Sequence, residues 1–406
     1  MPPPLDLVFS GGGTRGVAHA GAVDVLEQRK PTIRRVVGTS AGAIAAVFGA
    51  AGIPAADYLK LVPAKAGDPF KFNAFMAPPA GDKVRDSARK KDSQTRMLLR
   101  SAVDSAADKF LEGIAQRRPR IGELMQGAFN VGKQPFYEAA FERFLERAAE
   151  RDQDPTNPRK TVMLFSLLEF GGFFDPELFR LWLVEQISAR LPTFTKTTTL
   201  KQFQAMTADV GRDFSVVAAD STDAKPLVLN HRTAPDCPVV DAVLMSLSVP
   251  LMWPEVVWRK EWGKYLDRDL DGHFIIDGGA LANFPLRYAV DRNDDDVRQV
   301  MGEPDREPGA VIGLLLDGSL PVPGDVAAAE RPDFKLLERI DRAVATLSSW
   351  QADVTKGHEE LICRIGTKGH PGLEMTQTPE AVQRLQAMVN SGRCAMTDYL
   401  KKRKLF

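Results

Sequence analysis

Val36-Val37-Gly38-Thr39-Ser40-Ala41-Gly42 is the stretch of sequence that decides the fold. Two β-branched residues, which favour a strand, lead into the pattern G-x-S-x-G, and the small and apolar residues 43–48 that follow are typical of a buried helix. Glycines flank Ser40 because bulk on either side of a tight strand-to-helix turn would collide with the neighbouring strand or helix. The spacing therefore predicts a nucleophile elbow, with Gly38 and Gly42 framing a nucleophilic Ser40 at a helix N-terminus. A glycine-rich turn that holds an incidental serine is the other interpretation of this stretch alone.

A second glycine-rich turn precedes the elbow. Residues 5–9 predict a short buried strand, and Gly11-Gly12-Gly13-Thr14-Arg15-Gly16 leads from it into a predicted helix over residues 17–28. The pattern G-x-G-x-x-G would also suit a dinucleotide, but that function needs an acidic residue at the end of the second strand, and residues 34–37 end in the elbow instead. Consecutive glycines leave backbone N–H groups uncovered, so we expect an oxyanion hole. Arg15 is expected either to steady the loop, to attract an anionic head group or to lie in solvent.

A serine nucleophile needs a base, and Asp277 is the candidate. It follows the strongly apolar Phe274-Ile275-Ile276, so it lies at the end of a predicted buried strand, and Gly278 and Gly279 leave it uncovered. Burial raises the pKa of an aspartate toward the range that suits a general base. The competing interpretation is an aspartate that makes a turn, since Asp-Gly is common in turns. None of the five histidines lies in an obvious catalytic loop, and each is expected to be a surface or packing residue.

The composition excludes several classes of function. The 406 residues contain 53 Lys and Arg and 53 Asp and Glu, so the formal net charge is zero and no overall field draws the chain to nucleic acid. Three widely spaced cysteines form no C-x-x-C pair, which indicates neither a disulfide framework nor a zinc site and favours a reducing, cytoplasmic location. We expect no metal and no cofactor. The sequence contains no recognisable secretory signal and no run of about 18 apolar residues.

Predicted strands alternate with predicted helices along most of the chain. This order indicates an α/β fold of three layers, in which a mostly parallel central sheet is covered by helices on both faces. We expect one domain over residues 5–400, with residues 60–160, which are rich in lysine, arginine and helical periodicity, as a helical insertion or lid within it. Aromatic residues near lysines at 70–76 suit either contact with a lipid surface or burial beneath that insertion.

Taken together and in this order, the motifs resemble those of the patatin-like phospholipases. The similarity rests on Gly-Gly-Gly-Thr-Arg-Gly at 11–16, Gly-Thr-Ser-Ala-Gly at 38–42 and Asp277-Gly278-Gly279, with Asn283-Phe284-Pro285 just after. Weaker matches extend it over residues 5 to 400. One of these weaker matches is Ser246-Leu247-Ser248-Val249-Pro250, and it contains a departure at Met245, because a small residue usually precedes this first serine in the family.

The resemblance implies the patatin-like fold and an acyl hydrolase that cleaves ester bonds of phospholipids or other acyl-ester lipids. It implies a catalytic dyad of Ser40 and Asp277 and no metal in the chemistry. It also implies an oxyanion hole carried by Gly11, Gly12, Gly13 and Arg15. Peripheral contact with a membrane surface is expected, and so is an unidentified activator, because the family includes lipases that stay inactive until a cofactor or signal arrives.

Three other interpretations stay open on the sequence. An α/β-hydrolase with a Ser-Asp-His triad would need a late histidine, His358 or His370, although its elbow normally follows several strands. Asp267, Asp269 and Asp271 resemble the opening of an EF-hand calcium loop, but the twelfth position lacks the glutamate, so an exposed polar turn is the alternative. A binding protein that keeps the fold without catalysis is the third.

Overall fold

The computed structural model of the chain describes residues 3–65, 77–117, 160–304, 309–324, 355–372 and 378–403, together with isolated residues between 120 and 146 and at 339 and 346. The chain divides into two units, Met1–Met76 with Pro176–Phe406, which carries the sheet, and Ala77–Asp175, whose described elements are helices. The predicted insertion at 60–160 overlaps the second unit, but its role as a lid within a single domain stays a prediction. The aromatic residues at 70–76, for which lipid contact and burial beneath the insertion are the two interpretations, lie outside the described residues.

A mixed sheet of eight strands forms the centre of the first unit. The strands are β1 (Leu5–Phe9), β2 (Ile33–Thr39), β3 (Asp213–Asp220), β4 (Lys225–Leu229), β5 (Val256–Val257), β6 (Phe274–Asp277), β7 (Ala310–Asp317) and β8 (Ile362–Gly366). Their order is β5-β6-β3-β2-β1-β7-β8, with β4 also paired to β3. The pairings among β8, β7, β1, β2 and β3 are parallel, whereas β4 and β6 run antiparallel to β3 and β5 runs antiparallel to β6. The predicted fold class is confirmed.

Helices cover the sheet on both sides. In the first unit they are α1 (Val17–Glu27), α2 (Ala41–Ala51), α3 (Ala55–Leu59), α7 (Pro176–Ser188), α8 (Leu200–Met206), α9 (Val239–Leu247), α10 (Gly279–Ala282), α11 (Arg287–Val290), α12 (Asp295–Met301) and α13 (Pro379–Arg403). The second unit, taken by itself, has the described helices α4 (Gly81–Ala88), α5 (Gln94–Arg117) and α6 (Lys160–Phe170). None of the helices in the described ranges is both long enough and apolar enough to cross a bilayer.

Strand alternation divides the core between the two faces of the sheet. Val36 lies against Gly49 of α2, whereas the next residue, Val37, packs with Val217 in a cluster that includes residues of α11 and α12. Successive side chains of a strand point to opposite faces, so a run of apolar residues such as Val36-Val37 indicates a strand buried on both faces.

Helices α1 and α13 cross at a contact that only glycine allows. A Cβ added to Gly21 of α1 would lie 2.0 Å from the carbonyl oxygen of Val389, and one added to Gly392 of α13 would lie 2.0 Å from that of Ala18. Backbone therefore meets backbone along this crossing, and α1 is held firmly in place beside the glycine loop that precedes it.

One edge of β3 is shared by two strands that run toward each other. β4 pairs with residues 216–220 of β3 and so occupies one edge. β2 pairs with residues 213–217 and β6 with residues 218–220, so both lie on the opposite edge, β2 parallel and β6 antiparallel. Thr39 of β2 pairs with Val217, and Asp277 of β6 pairs with Ala218. The carboxyl ends of the two strands therefore meet at consecutive residues of β3.

Candidate active site

Ser40 forms the turn between β2 and α2. Its backbone has φ 53° and ψ −123°, a conformation that costs a non-glycine residue about 1–3 kcal/mol. The flanking glycines have no room for a side chain, because a Cβ at Gly38 would lie 2.1 Å from the Gly42 carbonyl oxygen and one at Gly42 would lie 2.4 Å from the Phe9 carbonyl oxygen. The sharp turn presents the Ser40 side chain at the N-terminus of α2, where free N–H groups favour negative charge.

Ser246, near the end of α9, holds this strained turn. Its hydroxyl accepts a hydrogen bond of 2.9 Å from the Ser40 N–H and donates one of 2.6 Å to the Val217 carbonyl oxygen. Thr39 adds a second tie, because its hydroxyl donates to the Ala282 carbonyl oxygen at 2.8 Å. Sequence reasoning noted residue 246 only as part of a family motif, and its position in a helix of apolar residues gives no sign of this bridging role.

Asp277 is buried at the end of β6. Its N–H donates to the Ser248 carbonyl oxygen at 2.9 Å, and its Oδ1 accepts the Gly279 N–H at 2.6 Å. Burial raises the pKa of Asp277 to about 7, although hydrogen bonding with the Ser40 side chain and with the Gly279 N–H acts in the opposite direction. The carboxyl therefore changes its charge near neutral pH.

The second carboxyl oxygen of Asp277 is available for a proton. Oδ2 is buried and has no partner of ordinary hydrogen-bond geometry in the part of the chain that the structure describes. The Ser40 side chain nevertheless lies near enough to influence the pKa of the carboxyl. Catalytic pairs are often loosely aligned until substrate binds, so this geometry suits a nucleophile and its base.

The first glycine of the loop differs from its predicted role. The Gly11 N–H donates to the Asn283 carbonyl oxygen at 2.9 Å, so it is already used and does not point to an oxyanion. Gly11 still lies close to Ser40, since a Cβ added to it would lie 3.1 Å from Ser40 Cβ. Its small size, and not its N–H, is what this position contributes.

The next two glycines retain unused N–H groups. Among the described residues, neither the Gly12 N–H nor the Gly13 N–H has a hydrogen-bond partner. Gly13 has φ +60°, and a Cβ there would lie 2.0 Å from the Gly372 carbonyl oxygen, so no other residue fits. Arg15 steadies this loop, because its Nε donates to the Gly12 carbonyl oxygen at 3.1 Å. The loop thus presents two N–H groups next to the residue that touches Ser40.

The late histidines do not join this site. Within the described ranges no histidine hydrogen-bonds to Ser40 or Asp277, and neither His358 nor His370 affects the pKa of Asp277. His19, by contrast, is buried in α1 with its Nε2 2.9 Å from the Ser10 carbonyl oxygen. We expected His19 to be a surface or packing residue. Its place in the first turn of the helix after the glycine loop was the one feature of the sequence that could have indicated a contact with that loop.

The aspartates that resemble a calcium loop lie in an exposed turn, where the Asp271 N–H donates to Asp269 at 3.0 Å. A different set, Asp220, Asp223 and His273, brings its ligand atoms within 4.8 Å of one another. Arg268 already supplies a positive charge there, because its Nη2 lies 3.6 Å from the Asp220 carboxyl and 2.7 Å from the Asp223 carboxyl. A metal ion would have to displace this guanidinium.

The chain matches one family model and is similar to proteins of known structure. A family model described as patatin-like phospholipase matches residues 7–290. The chain is similar to VipD from Legionella pneumophila, with 14% identity and a TM-score of 0.44 over 99% of this chain and 67% of VipD. It is similar to the type III effector ExoU of Pseudomonas aeruginosa, with 18% identity and a TM-score of 0.38 over 100% of this chain and 54% of ExoU, so it spans about half the length of that protein.

A shorter similarity is found to an uncharacterized protein, YqhO, of Bacillus subtilis. It reaches 58% identity over 48 residues. Those residues make up 12% of this chain and 16% of YqhO, so the match concerns a small part of each protein.

The bridge formed by Ser246 generates a prediction for stability. We expect Ser246→Ala to lower the free energy of unfolding by about 1–3 kcal/mol, because the buried Ser40 N–H loses its acceptor in a strained turn. Ser248→Ala is the matched control, since the only bond of the Ser248 hydroxyl among the described residues is to the Leu244 carbonyl oxygen in the last turn of the preceding helix. Denaturant unfolding measures both variants, and an equal effect of the two would contradict the bridging role.

The burial of Asp277 predicts how the free energy of unfolding depends on pH. Its pKa is about 7 in the fold and near 3.8 when exposed, so the folded chain holds a proton that the unfolded chain loses between these values. The stability that Asp277 contributes therefore falls as the pH rises from about 4 to about 7. We expect Asp277→Asn, which keeps an acceptor for the Gly279 N–H, to be more stable than wild type at pH 8 by a few kcal/mol.

This difference should shrink at pH 4.5, where wild-type Asp277 is protonated. Thermal or denaturant unfolding at the two pH values measures it. Asp271→Asn, which changes an exposed aspartate, is the control and should show no such dependence. A gain at pH 8 that persists unchanged at pH 4.5 would mean that charge burial is not its cause.

Proposed function

The chain belongs to the patatin-like phospholipase family, and from this premise we propose that it cleaves acyl-ester bonds of lipids with Ser40 as nucleophile and Asp277 as general base. One observation carries the proposal: a serine in a strained turn and a buried carboxyl with a pKa of about 7 stand at the meeting ends of two strands. A carboxyl that titrates near neutral pH, next to a hydroxyl, is suited to proton abstraction.

The proposed reaction has two steps. In the first, Ser40 Oγ attacks the ester carbonyl carbon while its proton passes to Asp277, and collapse of the tetrahedral intermediate breaks the ester bond as the leaving alcohol takes that proton. In the second, a water molecule gives a proton to Asp277 and attacks the acyl-enzyme. The fatty acid leaves, and the proton returns to Ser40 Oγ.

We assign the oxyanion hole to the N–H groups of Gly12 and Gly13. Both lack a partner in the described part of the chain, and both follow the glycine that touches Ser40. Donors fixed before the reaction stabilise the developing charge without reorganising, an effect commonly worth 10²–10³ in rate for each donor. Arg15 donates no hydrogen bond to the oxyanion in this proposal. It holds the loop in place through its bond to the Gly12 carbonyl oxygen.

The two alternative functions have less support. A Ser-Asp-His triad lacks its histidine, since none contacts Ser40 or Asp277 among the described residues. A binding protein without catalysis would not need a carboxyl at this place, because burial of an ionisable group destabilises the fold. Labelling of Ser40 by a fluorophosphonate distinguishes a working hydrolase from a silent one.

We propose that the reaction takes place at the surface of a membrane, where acyl-ester lipids reside. Leu251 and Leu281 support this, since they are exposed by 43% and 41% and lie three and four residues beyond Ser248 and Asp277. Leu251 also has φ 69°, so an apolar side chain is held in solvent by a strained backbone. The unidentified activator and the cytoplasmic location stay predictions from the sequence.

The proposed dyad is tested by substitution of the nucleophile. We expect Ser40→Ala to release at least about a thousand-fold less fatty acid than wild type from phospholipid vesicles, because the acyl-enzyme cannot form. Fatty-acid release is measured by mass spectrometry. Ser188→Ala, at an exposed serine that bonds to its own helix, is the control and should match wild type. Undiminished release by Ser40→Ala in a folded protein would overturn the proposal.

The proposed base is tested by the pH profile. Because Asp277 must be ionised to accept the Ser40 proton and its pKa is about 7, kcat/KM should rise about ten-fold per pH unit below 7 and level off above it. Stopped assays of a soluble ester, analysed by mass spectrometry between pH 5 and 9, measure this profile. A rate that is constant over the whole range would exclude a carboxyl with this pKa as the base.

A further inference from the structure

His19 is a buried histidine that the proposed reaction does not use. Its Nε2 lies 2.9 Å from the Ser10 carbonyl oxygen, and because a carbonyl only accepts, Nε2 carries the proton. Burial lowers the pKa of His19 to about 4, so the ring stays neutral at physiological pH. Its Nδ1 is buried without a partner among the described residues. The ring is thus a fixed donor of one hydrogen bond, aimed at the start of the glycine loop.

That hydrogen bond is one of two that fix the peptide group between Ser10 and Gly11. The Ser10 carbonyl accepts from His19, and the Gly11 N–H of the same peptide donates to the Asn283 carbonyl oxygen at 2.9 Å. Since a peptide group is planar, fixing both its ends fixes its orientation. Ser10 is anchored further, because its N–H donates to Leu314 at 3.1 Å and its hydroxyl accepts the Leu316 N–H at 2.9 Å.

The peptide group between Ser10 and Gly11 directly precedes the two N–H groups that we assign to the oxyanion hole. Gly11 touches the nucleophile, and the two N–H groups without a described partner follow at Gly12 and Gly13. Glycine backbones rotate easily, so an unclamped peptide here would be free to turn its carbonyl toward Ser40. A carbonyl oxygen facing a developing oxyanion repels it, whereas an N–H stabilises it.

We propose that His19 is a positioning residue of the oxyanion hole: by donating to the Ser10 carbonyl it keeps that oxygen turned away from the reacting centre and sets the direction of the Gly12 and Gly13 N–H groups. The inference rests on the proposed function of Ser40 and Asp277. It assigns His19 no proton transfer, because neither of its ring nitrogens contacts the dyad.

A role in packing alone is the competing explanation. His19 meets Phe9 edge to face, with ring centroids 5.4 Å apart and an interplanar angle of 77°, so the ring also fills space in the core. If filling space were its whole contribution, an apolar side chain of similar volume would serve as well. If the hydrogen bond matters, only a side chain that donates from the position of Nε2 will serve.

Two variants of similar size separate these explanations. His19→Gln places an amide N–H donor near the position of Nε2, and His19→Met fills a similar volume without a donor. We expect His19→Met to lower kcat on a soluble ester by about 10- to 100-fold with KM changed less than about three-fold, because the hole acts on the transition state and not on the bound ester. His19→Gln should recover most of this loss.

A trifluoromethyl ketone, whose adduct with Ser40 carries an oxyanion, is the second readout. Its affinity should fall in His19→Met in proportion to kcat/KM and recover in His19→Gln, while unfolding midpoints of the two variants stay similar. Equal kcat values for wild type and His19→Met would overturn the inference, and so would equal losses in both variants. If neither variant folds, nitrogen NMR of wild type decides, with signals assigned from Gln variants of the other four histidines.

In that NMR measurement His19 should stay protonated at Nε2 from pH 5 to pH 9. A ring that titrates in this range or carries its proton on Nδ1 would contradict the inference. The proposed function fails separately: activity that persists in Ser40→Ala removes the dyad, whereas an inactive Ser40→Ala together with a fully active His19→Met removes only the role of His19.

Discussion

The site depends on one pairing constraint, the sharing of a single edge of β3 by two strands of opposite direction. β2 ends where β6 ends, because Thr39 pairs with Val217 and Asp277 pairs with Ala218. The hydrogen bonds of a sheet fix which residues of neighbouring strands lie opposite each other. The pairing therefore holds Ser40 and Asp277, which are distant in sequence, at fixed positions beside one another. The Val217 carbonyl oxygen strengthens the junction, since it accepts the Ser246 hydroxyl, which in turn supports the Ser40 N–H.

Two features that lower the stability of the fold lie together where β2 and β6 meet. Ser40 adopts a backbone conformation that costs about 1–3 kcal/mol, and Asp277 is buried with one carboxyl oxygen unpaired. A fold selected only for stability would remove both features. Their presence at the same point, surrounded by glycines that admit no side chain, is the pattern expected of a site whose strain is used in chemistry.

The sequence predicted the parts of the site that depend on local geometry. The elbow at 36–42, the glycine loop and Asp277 at the end of an apolar strand all follow from short-range steric rules. The antiparallel pairing of β6 with β3 was not predictable, because the direction of a strand depends on its neighbours in the sheet, which are distant in sequence. The engagement of the Gly11 N–H by Asn283 and the bridging by Ser246 are contacts between distant segments, which residue types at one position do not reveal. His19 is buried against Phe9, as a packing residue would be, but its hydrogen bond to the Ser10 carbonyl oxygen is again a contact that residue types do not reveal.

The docking of α13 on α1 has a consequence for the order in which the chain acquires its structure. α1 follows the glycine loop directly, and its close partner Gly392 is among the last residues described. The loop itself rests on residue 372, whose carbonyl oxygen accepts the Thr14 N–H at 2.7 Å. Translation delivers both supports only after Ser40 and Asp277 have been synthesised. A growing polypeptide therefore carries Ser40 for most of its synthesis without the two contacts that hold the glycine loop and the helix after it.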